Sequence, residues 1–276
     1  MDVMTALLIK LYLKLCSVIP GFRKITAKWM YQAMGRFLKQ EHWTYMNYGY
    51  AAINGHEVIP ELDSDDEAYR LSFQLYHHLA AEIDMENKSV LEVGSGRGGG
   101  ASMIKKYHKP KKVIGLDYSG LAVKLCNKNL SREGLSFVKG DAENLPFSNE
   151  SFDAVINVES SHCYDSMTHF LNEVKKVLKP GGHFLFTDFR YSHEIMKLES
   201  QINESGMIVL RKRDITPNVI RALDQDHERR MQVISENVPK PFIRQFREFA
   251  GVRNSVVYKQ FANRDSVYLS YILQKQ

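Results

Sequence analysis

A glycine-dense turn directly behind a short apolar run constrains this chain more than any other feature. Val90, Leu91 and Val93 make the kind of run that forms a strand buried on both faces. The run stops at once in Gly94-Ser95-Gly96, with Gly98, Gly99 and Gly100 close behind. Glycine adopts positive φ and has no Cβ to hold a ligand away from the backbone. The spacing predicts a helix from about Gly99, with Met103 and Ile104 facing inward. Strand, glycine turn and helix are how a parallel sheet builds a nucleotide site at its carboxyl edge. Because Gly94-x-Gly96-x-x-Gly99 also fits a dinucleotide fingerprint, the turn alone leaves the cofactor open.

The same rhythm continues downstream. Residues 113–116 read as a second buried strand ending in Asp117, followed by a helix over 119–130 with Leu121, Ala122 and Leu125 inward. A third strand over 135–138 leads into Gly140-Asp141-Ala142-Glu143, and residues 152–158 form a fourth. A helix over 166–178 closes in Lys179-Pro180-Gly181-Gly182, before a fifth strand, 184–187, ending in Asp188-Phe189-Arg190. This alternation predicts an α/β fold with a doubly wound, mainly parallel sheet. Farther on, residues 207–210 look like a strand, 217–250 like inserted helices and 266–273 like the last strand. Upstream, residues 67–82 look helical. The expected organisation is a basic helical segment over 1–41 and one catalytic domain over 42–276, with a helical cap at about 214–252.

Charge separates these two parts. Residues 1–40 hold seven Lys or Arg against the single acid Asp2, while the remainder is nearly neutral, which argues against a nucleic-acid binder. Residues 3–19 are apolar almost all round, with Lys10, Lys14 and Ser17 in a narrow stripe and Pro20-Gly21 at the end. That run is shorter than the roughly 20 residues of a membrane span. Asp2 stands where a secretory signal carries positive charge. The expectation is an interfacial helix, with Arg23, Lys24, Lys28, Arg36 and Lys39 facing anionic headgroups. A lid over the site or a partner-binding helix is the alternative. Cys16, Cys126 and Cys163 are far apart, without metal-type spacing, which favours the reducing cytoplasm. The aromatic stretch 42–50, with Trp43, Tyr45, Tyr48 and Tyr50, either closes over a cofactor or belongs to the core.

Three strand ends point to one ligand. The glycine turn follows the first strand. Asp117, 23 residues past Gly94, is placed to accept hydrogen bonds from two ribose hydroxyls. Asp141, after the third strand, can accept from an adenine amino group. Singly, each carboxylate reads better as a turn or helix-cap residue. Glu92 just before the glycines suits a sulfonium or an ammonium better than a pyrophosphate. Together these features favour S-adenosylmethionine over a nicotinamide cofactor.

The set Leu91-Glu92-Val93-Gly94-x-Gly96-x-Gly98, Gly115-Leu116-Asp117, Gly140-Asp141-Ala142-Glu143-x-Leu145-Pro146-Phe147 and Leu178-Lys179-Pro180-Gly181-Gly182 resembles the class I S-adenosylmethionine-dependent methyltransferases. Among these, residues 43–273 look most like the phthiotriol/phenolphthiotriol dimycocerosate methyltransferases. That closer resemblance rests on Gly98-Gly99-Gly100-Ala101-Ser102, Ile156-Asn157-Val158-Glu159-x-Ser161-His162-Cys163-Tyr164, Asp188-Phe189-Arg190 and Glu248-Phe249-Ala250-Gly251-Val252. It implies O-methylation of a hydroxyl on a bulky apolar acceptor. C-methylation of a sterol, quinone or polyketide is the nearest alternative; a nicotinamide-dependent reductase and a non-catalytic cofactor binder are more distant ones.

The expected cofactor contacts are Glu92, Gly94, Gly96, Gly98, Asp117, Tyr118, Asp141, Ala142, Asn157 and Tyr48. His162, just past the fourth strand, is the expected general base, with Glu159 assisting or replacing it and Asp188 as a third candidate. Tyr164, Phe189, Phe242, Phe246 and Phe249 are candidate walls of an acceptor pocket. Arg211-Lys212-Arg213 and Arg229-Arg230 read as solvated faces. Asp226-His227-Glu228 has no matching cluster elsewhere, so no metal is expected.

Overall fold

The computed structural model describes residue 26, residues 44–53 and residues 61–276. The helix expected over 3–19, the cations as far as Lys39, and Trp43 lie outside the described residues.

Seven strands form one sheet: β1 (Ser89–Val93), β2 (Lys112–Asp117), β3 (Leu135–Lys139), β4 (Phe152–Val158), β5 (Leu178–Tyr191), β6 (Ile208–Asp214) and β7 (Ser266–Gln274). Their order is β3-β2-β1-β4-β5-β7-β6. Strands β1 to β5 pair in parallel, whereas β7 runs antiparallel between β5 and β6. The chain steps outward from β1 in one direction and from β4 in the other. A crevice therefore opens at the carboxyl ends of these two neighbours.

Alternation along the buried strands sends side chains into two cores. On one face Val90, Val113, Ile156 and Leu185 pack with Phe73 and Leu79 of α1 (Arg70–Ala80), Ile104 of α2 (Gly99–Tyr107) and Cys126 of α3 (Gly120–Asn129). On the other, Leu91, Val93, Val155 and Phe184 pack with Phe170 and Leu171 of α4 (Met167–Val177) and Ile202 of α5 (Ile195–Glu204). Residues 90 and 91 thus belong to opposite layers, as a two-residue period requires. Ser119 and Ser166 cap α3 and α4 by accepting from Ala122 N and His169 N.

Two expectations change here. In α3 the inward residues are Val123 and Cys126, while Leu121 and Leu125 are 53% and 39% exposed. An apolar side chain facing a ligand cavity leaves the same sequence trace as one facing the core. Strand β5 also starts earlier and runs later than 184–187, carrying Asp188, Phe189 and Arg190 within it, because β7 pairs with it as far as Tyr191. Between β6 and β7 lie α6 (Thr216–Gln225), α7 (His227–Asn237), α8 (Ile243–Phe249) and α9 (Val256–Ala262). No helix among the described residues is long and apolar enough to cross a membrane.

Candidate active site

The glycine turn is tied down by the neighbouring strand. Gly94 N and Ser95 N both donate to Leu116 O, at 2.8 and 2.9 Å. Gly94 has φ 78°, and a Cβ on it would lie 2.3 Å from Ser160 Oγ, so only glycine fits. Asp117, at the end of β2, accepts from Gly96 N through Oδ2 and from Ser119 N through Oδ1, each at 2.8 Å. One carboxylate therefore fixes the turn and the start of α3 together. Burial pushes its pKa up to about 6, against the pull of these two amides.

Around the turn is a cavity of about 240 Å³. Of the ten expected cofactor residues, Gly94, Gly96, Asp117, Tyr118, Asp141 and Ala142 line it. The other four do not. Glu92 is buried behind Tyr76, whose hydroxyl donates to its Oε1 at 2.8 Å; burial raises the carboxyl to about 7. Gly98 has φ 79°, and a Cβ there would meet the Phe137 ring at 2.8 Å, so its role is helix–strand packing. Asn157 is fully buried, donating to Val93 O at 2.9 Å and to Ser160 Oγ at 2.7 Å. Tyr48 lies in a second cavity, described below. Glu92 pairs in register with Ile156, so Glu92 and Asn157 turn to opposite faces of the sheet, each buried beside the crevice. Met46, Tyr76, Leu121, Leu125 and Tyr164 also line the first cavity, unanticipated as cofactor contacts. For Leu121 and Leu125, the four-residue spacing just behind Asp117 was the available signal.

The second cavity, about 560 Å³, lies against α8 and α9. Met46, Tyr48, Phe189, Phe249, Val256 and Val257 give it apolar walls, and Glu159 and His162 also line it. Phe189 and Phe249 thus stand where an acceptor pocket was expected. Tyr164 faces the first cavity instead, Phe246 packs with Ile234 and Val252, and Phe242 is 43% exposed outside the lining. Glu159 and Met46 line both cavities.

Glu159 holds a left-handed backbone, φ 46°, an unfavourable conformation for a residue with a Cβ. Its N–H donates to Thr187 O at 3.0 Å, and its Oε1 accepts from Tyr48 N at 2.7 Å and from Tyr268 Oη at 2.6 Å. Burial pushes the carboxyl up to about 7, even with both donors pulling it down. The 3₁₀ turn Ser161–Cys163 then sets His162 Nδ1 at 2.9 Å from Asp188 Oδ1. Asp188 is fully buried and lines neither cavity, so it supports His162 rather than meeting an acceptor. It also accepts from Ser161 Oγ at 2.6 Å and His162 N at 2.9 Å, and pairs with Arg190 at 3.2 Å. Burial alone lowers the imidazole's pKa. Cys163 and Asp188 beside it more than reverse this and hold His162 well above its ordinary value. Burial likewise raises Asp188, but His162 and Arg190 outweigh it and keep the group a carboxylate.

Residues 91–186 match the family described as a methyltransferase domain. A phthiotriol/phenolphthiotriol dimycocerosates methyltransferase of Mycobacterium tuberculosis is 35% identical over 254 residues, 92% of this chain and 93% of the relative. The chain belongs to that family of class I S-adenosylmethionine-dependent methyltransferases. A fatty-acid O-methyltransferase of Mycolicibacterium smegmatis is 36% identical over 90% of this chain and 89% of its own length. In fold, this methyltransferase is similar to the cyclase SpnF, with a TM-score of 0.69 at 18% identity, covering 90% of this chain and 94% of that one.

The first cavity fits the cofactor of a class I methyltransferase on its own evidence. Ser95 Oγ, in the glycine turn, is buried with no hydrogen-bond partner among the described residues, and it lines the cavity. Such a group calls for a polar ligand atom. Two carboxylates, Asp117 and Asp141, stand at the ends of adjacent strands on the same cavity.

Proposed function

We propose that this methyltransferase acts on a hydroxyl oxygen of a long apolar lipid held in the second cavity. The observation that carries the reading is Glu159, a carboxyl lining both cavities at once. Apolar walls on one side and a nucleoside-type cradle on the other suit a water-poor acceptor facing a polar cofactor. The names of two relatives, one acting on phthiotriol lipids and one on fatty acids, support an apolar acceptor.

Gly94, Ser95, Gly96, Asp117, Tyr118, Asp141 and Ala142 are the residues that would hold S-adenosylmethionine. It supplies a methyl group already activated by a sulfonium leaving group. What remains for the chain is orientation, exclusion of water and removal of the hydroxyl proton. Glu159, rather than His162, takes that proton in this reading. A carboxyl titrating at about 7 exchanges protons at neutral pH. His162, held protonated against Asp188, offers a charged N–H to the acceptor's neighbourhood instead. Residues 42–276 form the methyltransferase domain, with the cap at about 214–252 covering the acceptor. The basic segment 1–41 meets an anionic membrane surface, a reading supported by its charge excess.

The test is incubation of total lipid extract with methyl-labelled S-adenosylmethionine. A labelled methyl ether supports the reading; label on carbon, or in a methyl ester formed from a carboxylate, sinks it. For the membrane contact, deletion of residues 1–22 should abolish flotation with anionic liposomes.

A further inference from the structure

Arg230, on α7, was expected on a solvated face, yet its side chain is only 10% exposed. Its guanidinium reaches three separate parts of the fold. Nη2 donates to Asn47 O at 3.2 Å and to Tyr48 O at 3.1 Å, and Nη1 donates to Ala250 O at 2.8 Å. Nε donates to Asp226 Oδ2 at 2.8 Å. Asp226, 7% exposed, is itself gripped by Arg229 through Nε and Nη2, both at 2.6 Å. The pair therefore forms a fixed anchor in the cap, and what it anchors is the backbone at Asn47 and Tyr48.

That backbone divides the two cavities. Met46 lines both of them and Tyr48 lines the second. On its far side, Tyr48 N donates to Glu159 Oε1 at 2.7 Å. Arg230 thus pulls on the carbonyls of the strap while Glu159 takes its amide. Both carbonyls and the amide are satisfied only if the strap keeps its register. A planar guanidinium with five donors in a rigid fork can meet this spread of acceptors; the point charge of a lysine cannot.

We propose that Arg230 is a positioning residue for methyl transfer, holding the strap 46–48 so that the Tyr48 amide stays on Glu159 and the two cavities stay aligned. The proposal rests on the methyl-transfer reading of the site. The groups that face or interact electrostatically with Glu159 are the Tyr48 amide and phenol, the Tyr268 and Tyr76 phenols, His162 and Asp188. Of these, the two from Tyr48 belong to the strap.

The experiment compares full-length wild type with Arg230→Lys and with Asp226→Asn, the second keeping the guanidinium but loosening its orientation. S-adenosylhomocysteine affinity, acceptor KM and kcat are measured separately. The Glu159 carboxyl is titrated by infrared difference spectroscopy, assigned by its loss in Glu159→Gln. Expected for both variants are a loss of kcat that exceeds any loss of S-adenosylhomocysteine affinity, on the order of 10²-fold in kcat for Arg230→Lys, and a Glu159 titration moved to higher pH. A smaller shift in the same direction is expected for Asp226→Asn. Wild-type kcat with an unmoved titration, or equal losses of affinity and turnover as from general loosening, overturns the proposal. A wild type that binds S-adenosylhomocysteine yet transfers no methyl defeats the methyl-transfer reading. The infrared titration still decides the role of Arg230 in that case.

Discussion

The Tyr268 hydroxyl, on β7, donates to Glu159 Oε1 at 2.6 Å across 109 residues of chain. It stabilises the ionised form of a carboxyl that burial pushes up to about 7. Tyr268→Phe removes that donor from a charged acceptor, a loss of about 1.5–3 kcal/mol, or one to two pKa units. With Glu159 as the proposed base, its carboxylate is the active form, and wild-type kcat/KM should rise as pH passes about 7. In Tyr268→Phe that acid limb should move upward, with the plateau at high pH largely retained. A pH–rate profile checks both, and an unmoved limb would separate Glu159 from the chemistry.

His162 and Asp188 should show their partnership in stability. A histidine held above its ordinary value stabilises the fold fully below about 6.5, and the effect is lost as pH rises through the folded value. A carboxylate held below its ordinary value stabilises above about 3.8, and that effect is lost as pH falls through the folded value. Both act together in the window between. Asp188→Asn strands two buried cations and should cost about 3–5 kcal/mol at pH 6 by urea unfolding. The gap should narrow in strong acid and in strong alkali.

Asp117→Ala removes the acceptor of Gly96 N and Ser119 N as well as a cavity carboxylate. Calorimetry should find S-adenosylhomocysteine affinity lower by about 10²-fold or more, two charged hydrogen bonds' worth. His162→Ala, by contrast, should leave that affinity intact and slow turnover.

Gly94→Ala places a methyl group where Ser160 Oγ would be 2.3 Å away, on a backbone at φ 78°. The turn must shift to accept it. Cofactor binding should fall, and because the strain exists only in the folded state, urea unfolding should show a loss of about 1–3 kcal/mol.

What the sequence revealed and what it concealed divide along physical lines. That the glycine turn, Asp117 and Asp141 meet at one cavity was readable because each is a strand-end feature set by a few neighbouring residues. Glu92 and Asn157 lie behind the cavity lining rather than on it, a depth that strand pattern alone does not convey. The outward-facing Leu121 and Leu125 misled for a related reason, since a ligand cavity and a core both select apolar side chains. Tyr268 and Arg230 were invisible for another: their partners, Glu159 and the 47–48 backbone, lie 109 and more than 180 residues away. Arg230 has the composition of a surface residue and is buried only because Asp226 and three carbonyls take up its donors.

Turnover of Glu159→Gln with methyl-labelled S-adenosylmethionine and the acceptor identified from lipid extract is the most direct measurement. Loss of a positioned base should slow methyl transfer to the oxygen by about 10²–10⁴-fold, while S-adenosylhomocysteine still binds as to the wild type. Transfer at the wild-type rate by this variant would contradict the account.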